Sequence, residues 1–172
     1  MPKIMNSYFK PQIDLELNLI QNSSLIYKKG NAGYLNWFPM DFRLQVEEEE
    51  YTFEYIPILS LDSLDLLFNT IRSLLKEKKE KGIISLDEEY QTFECGATEG
   101  EFNLKLRNTH DEFGKDIVSI ELWLNVAYLK GKSVGYNKGF NFTVFLEDID
   151  KFFREMELQL YNLTDGYEGR IT

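Results

Sequence analysis

The sequence contains very little of the chemistry from which active sites are usually built. Its 172 residues include one cysteine, Cys95, and one histidine, His110. A single cysteine excludes an internal disulfide framework and favours a reducing compartment. A lone histidine excludes the paired-histidine spacings that are typical of zinc sites. We therefore expect no metal, no cofactor and no catalytic centre, and we predict that the protein is not an enzyme.

Long apolar runs are also missing, and basic residues are in the minority. No stretch approaches the length of a membrane span, and no apolar segment of a signal peptide follows Met1. We expect a cytoplasmic protein that does not contact membranes. Acidic residues number 29 against 19 basic ones, for a net charge of −10. Such a surface repels nucleic acids and could attract a basic protein partner, although solubility alone would also explain the acidity.

The histidine and its neighbours have an ordinary explanation. His110 lies in a polar stretch with Asp111, Glu112 and Asp116, which predicts a turn between two strands. Oxygen-rich turns can hold calcium, but this spacing does not follow the EF-hand loop. A solvated turn explains all four residues.

The cysteine and the glycines are similarly unpromising. Cys95 follows Glu94, and a nearby carboxylate raises the pKa of a thiol, which disfavours a nucleophile. The glycines at 131, 135 and 139 lack the Lys-Ser/Thr ending of a phosphate-binding loop. We predict that Cys95 is a small residue at the end of a strand and that the three glycines belong to a loop.

The remaining composition is that of a folded chain, with 43% hydrophobic and 28% charged residues. Alternating apolar and polar residues predict strands, the longest from 118 to 128. Two amphipathic segments predict helices, the first capped by Ser60 or Asp62 and the second from 149 to 163. We predict a single α+β domain over 1–172. It has an antiparallel, meandering sheet or sheets of about six to eight strands and two amphipathic helices.

One strand–helix unit occurs twice in the sequence. Nine positions between Tyr55 and Leu75 match nine between Phe140 and Leu160 without a gap, and Asp65 matches Asp150. Duplication into half-repeats 36–82 and 83–166 would explain the match. Two independent solutions to one local problem would also explain it, since all strand–helix units share these apolar periods.

Large aromatic residues are predicted on the polar side of three strands. Such residues ringed by polar neighbours are typical of protein-binding surfaces, although a covering layer would also explain them. Four consecutive glutamates would either steer a basic partner or form a solvated hairpin. The candidate partner-binding residues are Trp37, Asp41, Arg43, Glu47, Glu48, Glu49, Glu50, Glu121, Trp123 and Phe145.

The order of elements resembles the WapI family of bacterial immunity proteins. The segment 35–42, which contains Asn36-Trp37-Phe38, and the later Phe140-Asn141-Phe142 carry the resemblance, which spans 36 to 163. It implies a small cytoplasmic protein that binds and neutralises a polymorphic, contact-dependent toxin without catalysis. The acidic surface agrees with this, because many such toxins are basic nucleases.

Two other functional classes stay open. A hydrolase or small-ligand-binding domain could use a site of dispersed carboxylates, and a deep concave pocket would favour it. A housekeeping protein could instead form a homodimer through the same aromatic face.

Overall fold

The computed structural model describes residues 1–6, 10–20, 27–81, 92–96, 101–108, 117–129, 136–164 and 166. It confirms the predicted α+β class with antiparallel strands and two long helices. The elements in chain order are β1 (Lys3–Asn6), β2 (Ile13–Leu19), a 3-10 turn (Gly33–Leu35), β3 (Trp37–Val46), β4 (Glu49–Ser60), α1 (Leu61–Lys81), β5 (Thr92–Gly96), β6 (Phe102–Asn108), β7 (Ile117–Asn125), α2 (Val126–Leu129), β8 (Asn137–Phe145) and α3 (Leu146–Leu163). The predicted strand at 83–86 lies outside the described residues.

The strands form two antiparallel meanders of the same design. The first sheet has the order β1-β2-β3-β4, and the second has the order β5-β6-β7-β8. Each meander leads directly into a long helix, and the sequence match pairs Leu61 with Leu146, the first residues of α1 and α3. The first four-stranded unit begins at Lys3 rather than at 36, because β1 and β2 pair with β3 in the same sheet.

The core lies between the inner faces of the two sheets and the helices. Alternation along β2 buries Ile13, Leu15 and Leu17, each about 1% exposed. The sheets meet directly where Phe42 stacks on Phe102, with ring centroids 5.5 Å apart. Burying one such side chain contributes about 1.5–3 kcal/mol to folding. One continuous cluster of buried side chains therefore connects both meanders.

The long helices are exchanged between the meanders. α1 follows the first sheet but packs on β5 and β6 of the second, while α3 follows the second sheet and packs on β1 and β2 of the first. The helices also touch each other, because Phe68 meets Phe153 edge-on at 5.6 Å between centroids. These two residues are matched positions in the sequence repeat. The contact therefore joins equivalent points of the two units.

Helix boundaries follow from capping side chains. The Ser60 hydroxyl accepts a hydrogen bond from the Ser63 amide at 3.2 Å, which confirms Ser60 as the cap of α1. The strand predicted to run to Tyr128 instead ends at Asn125, so that prediction was wrong at its end. The Asn125 side chain accepts a hydrogen bond from the Tyr128 amide at 3.1 Å and thereby starts α2. No helix among the described residues is long and apolar enough to cross a membrane.

Candidate functional site

The ten residues predicted to bind a partner do not form one surface. Seven lie on β3, on β4 or in the turn between them, and three lie on β7 and β8. The two groups therefore belong to different sheets. We call the solvent-facing side of the first sheet the first face; one row across it contains Lys3, Glu16, Arg43 and Thr52. We call the solvent-facing side of the second sheet the second face; one row across it contains Glu94, Lys105, Glu121 and Asn141.

The first face is covered at one end. Trp37 opens β3 and is half-buried, and Pro39, two residues further on, is fully buried. The Pro39 carbonyl accepts a hydrogen bond from the Ile20 amide at 2.8 Å, which holds the end of β2 against this part of β3. Trp37 thus belongs to the covered end. The open part of the first face begins at Asp41.

Three of the four consecutive glutamates make bonds within the protein. Glu47 donates its amide to the Gln12 carbonyl at 3.1 Å, and its carboxylate accepts the Gln12 amide at 2.9 Å. Glu50 pairs with Arg43 at 2.8 Å. Glu48, in the turn, engages in no hydrogen bond or ion pair with any described residue. The run therefore forms the hairpin between β3 and β4, and steering of a basic partner stays a prediction.

Glu49 belongs to a polar cluster between the two sheets. Lys138 of β8 bonds both the Glu49 carboxylate and the Tyr51 hydroxyl, and its ammonium lies 5.1 Å from the centroid of the Tyr51 ring and 5.4 Å from that of Phe140. The hydrogen bond from Lys138, and next that from Tyr51, lower the pKa of Glu49. The same bonds raise the pKa of Lys138. The cluster fastens β4 to β8.

The second face balances its own charges. Glu121 lies within 3.8 Å of Lys105 and 3.4 Å of Arg107, and Lys105 also reaches Glu94 at 3.8 Å. Trp123 is 41% exposed, and its indole N–H donates to Glu121 at 2.6 Å. Such a surface has little charge left over for a partner.

Phe145 lies far from Trp123 on the same face. Trp123 is directly opposite Gly139 in the pairing of β7 with β8, whereas Phe145 is opposite Ile117 at the other end of β8. Gly139 and Phe145 are six positions apart along an extended strand, a distance of roughly 20 Å. The two aromatic residues therefore do not form one patch.

A groove of about 420 Å³ opens on the first face. Its wall includes Asp41 and Arg43, which the sequence singled out, together with residues that it did not. Among the described residues, the lining consists of Met1, Glu16, Ile20, Asp41, Phe42, Arg43, Thr52, Phe53, Glu54 and Tyr55. Sequence patterning could not find the groove because its shape depends on how β4 departs from regular pairing with β3.

That departure is a β-bulge at Tyr55. Met40 pairs with Ile56 and Phe42 with Phe53, so Asp41 faces two residues of β4. Tyr55 adopts a left-handed backbone with φ of +54°, a conformation that L side chains rarely adopt. Its amide donates to the Asp41 carboxylate at 2.9 Å. Asp41 therefore holds the bulge, and Tyr55 is 53% exposed beside the groove.

The acids of the groove are only partly neutralised. Arg43 is committed to Glu50 and lies 4.0 Å from Glu16, while Glu16 is also paired with Lys3 at 3.1 Å. Within the described part of the chain, no cation approaches Asp41 or Glu54 to ion-pair distance. The groove therefore carries uncompensated negative charge.

Among the described residues, those considered for other chemistry form no second site. Cys95 is buried, and burial, with a smaller effect of Glu94, raises the pKa of its thiol to about 12, in the predicted direction. The described residues contain no group of three or more His, Cys, Asp or Glu that could hold a metal. His110, Asp111, Glu112 and Asp116 lie outside the described residues, as do the glycines at 131 and 135.

Comparisons with known proteins leave the family open. No family model and no curated protein matches the chain. Among solved structures, the chain is similar to WHY3 from Arabidopsis thaliana, with 11% identity over 93% of this chain and 88% of that chain and a TM-score of 0.39. A likeness at that TM-score carries no argument about function. The resemblance to the WapI family stays a prediction.

Proposed function

We propose that this protein is a cytoplasmic, non-enzymatic binding protein that neutralises a basic toxin domain by covering it with the first face. The observation that carries the proposal is the groove at Asp41, whose wall includes two carboxylates, Asp41 and Glu54, that have no ion-pair partner among the described residues. The net charge of −10 supports it, because a strongly acidic protein attracts a basic one and speeds their association. The immunity role rests on the resemblance of segment 35–42 and Phe140-Asn141-Phe142 to the WapI family.

Charge balance favours the first face over the second. On the second face, Lys105 and Arg107 already neutralise Glu94 and Glu121. On the first face, Lys3 and Arg43 are taken up by their own carboxylate neighbours, and the acids at Asp41 and Glu54 remain. A basic partner that docks there gains attraction without first breaking an existing pair, which is the condition under which interfacial charges add affinity.

The test is a binding measurement with toxin domains encoded beside this gene, combined with matched substitutions on the two faces. Thr52 and Asn141 are both exposed polar residues in edge strands of their sheets. Thr52→Arg should weaken binding at least 100-fold, because it places bulk and positive charge in the groove wall. Asn141→Arg on the second face should leave the affinity unchanged, and only cells that carry a binding-competent variant should survive expression of the toxin.

Two other outcomes would contradict the proposal. A loss of binding with Asn141→Arg alone would place the interface on the second face. If none of the neighbouring gene products binds or is neutralised, the immunity function is wrong. Light scattering of the protein alone separates a homodimer from a monomer that is available for a partner.

The volume of the groove also favours a second candidate, a small-ligand-binding domain. About 420 Å³ falls within the range of small-molecule sites, and Glu16, Asp41 and Glu54 converge on it. A cationic metabolite would be the matching ligand. A screen of cationic metabolites by thermal shift would support this candidate if one compound stabilises the native chain and Thr52→Arg abolishes the effect.

A further inference from the structure

The groove combines two features that together recognise one kind of side chain. One is negative charge: Glu54 is exposed and makes no hydrogen bond or ion pair with the described residues, and Asp41 uses its Oδ1 atom for the Tyr55 amide. The other is an aromatic residue, since Tyr55 is 53% exposed and lines the same groove. Carboxylates beside an aromatic ring favour the binding of planar cations, because such a cation can pair with the carboxylates and stack on the ring.

The bulge brings these features together. In a regular strand, Glu54 and Tyr55 would point to opposite faces of the sheet, and only one could line the groove. Because the left-handed backbone at Tyr55 inserts an extra residue opposite Asp41, both side chains line it. Asparagine and glycine adopt this backbone more readily than tyrosine does. The presence of tyrosine at this strained backbone position is explained if its ring contacts a bound ligand.

We propose that the groove receives one arginine side chain of the basic partner, with the guanidinium between the carboxylates of Asp41 and Glu54 and against the ring of Tyr55. This inference rests on the proposed function and names the chemistry of the contact. Arginine fits better than lysine because its planar guanidinium stacks on aromatic rings, pairs with carboxylates through several N–H groups and is more weakly hydrated.

The positive residue in the wall does not oppose this arrangement. Arg43 donates to Glu50 at 2.8 Å and lies 4.0 Å from Glu16, so its charge is already balanced by two carboxylates. Its guanidinium is thus held toward those acids across the sheet. An incoming arginine meets the free carboxylates at the bulge end of the groove.

The inference is tested with small probes on the full chain. Nα-acetyl-arginine amide, its lysine analogue and its citrulline analogue are titrated while backbone amide signals are followed by NMR. The arginine probe should shift the amides of residues 41 and 53–55 and should bind at least fivefold more tightly than the lysine probe. The uncharged citrulline probe should cause no shift. Equal binding of all three probes, or shifts confined to other residues, would overturn the inference.

Matched variants tie the binding to named groups. Asp41→Asn keeps an oxygen acceptor for the Tyr55 amide and removes only the charge, and Glu54→Gln is isosteric. The double variant should bind the arginine probe at least tenfold more weakly. Tyr55→Asn suits the left-handed backbone, so it should stay folded by circular dichroism and lose the preference for arginine over lysine. Glu94→Gln makes the same change in charge on the second face and should leave binding of the arginine probe unchanged.

Different results would contradict the arginine contact and the immunity function. If a toxin domain binds the double variant Asp41→Asn/Glu54→Gln as tightly as the native chain, the arginine contact is wrong while the binding function stands. If the arginine probe binds as described but no basic protein partner exists, the contact stands and the immunity function is wrong.

Discussion

Trp123 lies across the backbone of Gly139 on the neighbouring strand. A Cβ atom placed on Gly139 would come within 2.9 Å of Cη2 and Cζ3 of the indole. The glycine is therefore required for the position of the ring, which in turn lets the indole N–H reach Glu121 at 2.6 Å. The arrangement fixes an otherwise exposed tryptophan on the second face.

Gly139→Ala should displace the indole and lower the free energy of unfolding by no more than about 2 kcal/mol. The exposed ring can swing away at a cost of about 1–3 kcal/mol, while removing a glycine from a strand returns about 0.5–1 kcal/mol. With Trp37→Phe as background, Trp123 emission should shift to longer wavelength. In a Trp123→Ala background the same substitution should be neutral or stabilising, and a cost that persists there would show that the ring is not the obstacle.

Glu49→Gln should lower the melting temperature at pH 7, and this effect should fade as the pH falls through the lowered pKa of Glu49. The hydrogen bonds from Lys138 and Tyr51 lower the pKa of Glu49 from its ordinary value of 4.5, so its charged form stabilises the folded state. That contribution is present above pH 4.5 and is lost as pH falls through the folded-state pKa. Glu48→Gln, beside it in the turn, is the control. An equal effect of both variants at pH 7 would exclude the Lys138 cluster as the cause.

Phe153→Ala should lower the free energy of unfolding by about 3–5 kcal/mol. Its ring is 7% exposed, packs edge-on against Phe68 and carries the Arg72 guanidinium 5.4 Å from its centroid. Leu158→Ala on the same helix removes a side chain that is 60% exposed and should cost under about 0.5 kcal/mol. Urea denaturation measures both. Similar values for the two variants would contradict the packing described for α3.

Cys95 should be unreactive toward Ellman's reagent in the folded protein at pH 8. The thiol is buried, and burial raises its pKa to about 12, so hardly any thiolate is present or accessible. One equivalent should react after denaturation, since the chain has one cysteine. Rapid reaction under native conditions would mean that β5 opens readily.

The sequence predicted elements well where side-chain periodicity alone decides them. The alternation of β2 and the amphipathic pattern of α3 were sufficient, because burial selects one face of each. The four residues of β1 were too few to show alternation, and they form a strand because they pair with β2. The end of β7 was misjudged because the Asn125 side chain caps a helical turn, which outweighs an apolar pattern.

The candidate site was less predictable than the fold. Periodicity identified Asp41 and Trp123 as lying on polar faces, but it could not show that they belong to different sheets, since pairing depends on contacts distant in sequence. Glu54 and Tyr55 were missed because the bulge breaks the alternation that would have been used to place them. No pattern in a single sequence predicts that a tyrosine adopts a left-handed backbone conformation.

The exchange of helices has a consequence for how the chain must be made. α1 packs on β5 and β6, strands that are synthesised after it, and α3 packs on β1 and β2, which are synthesised first. A nascent first unit thus exposes the apolar sides of both its own sheet and its helix until the second unit arrives. We expect the ribosome-bound first half to be a substrate for chaperones, and co-expressed halves to reach the native state only by assembling with each other.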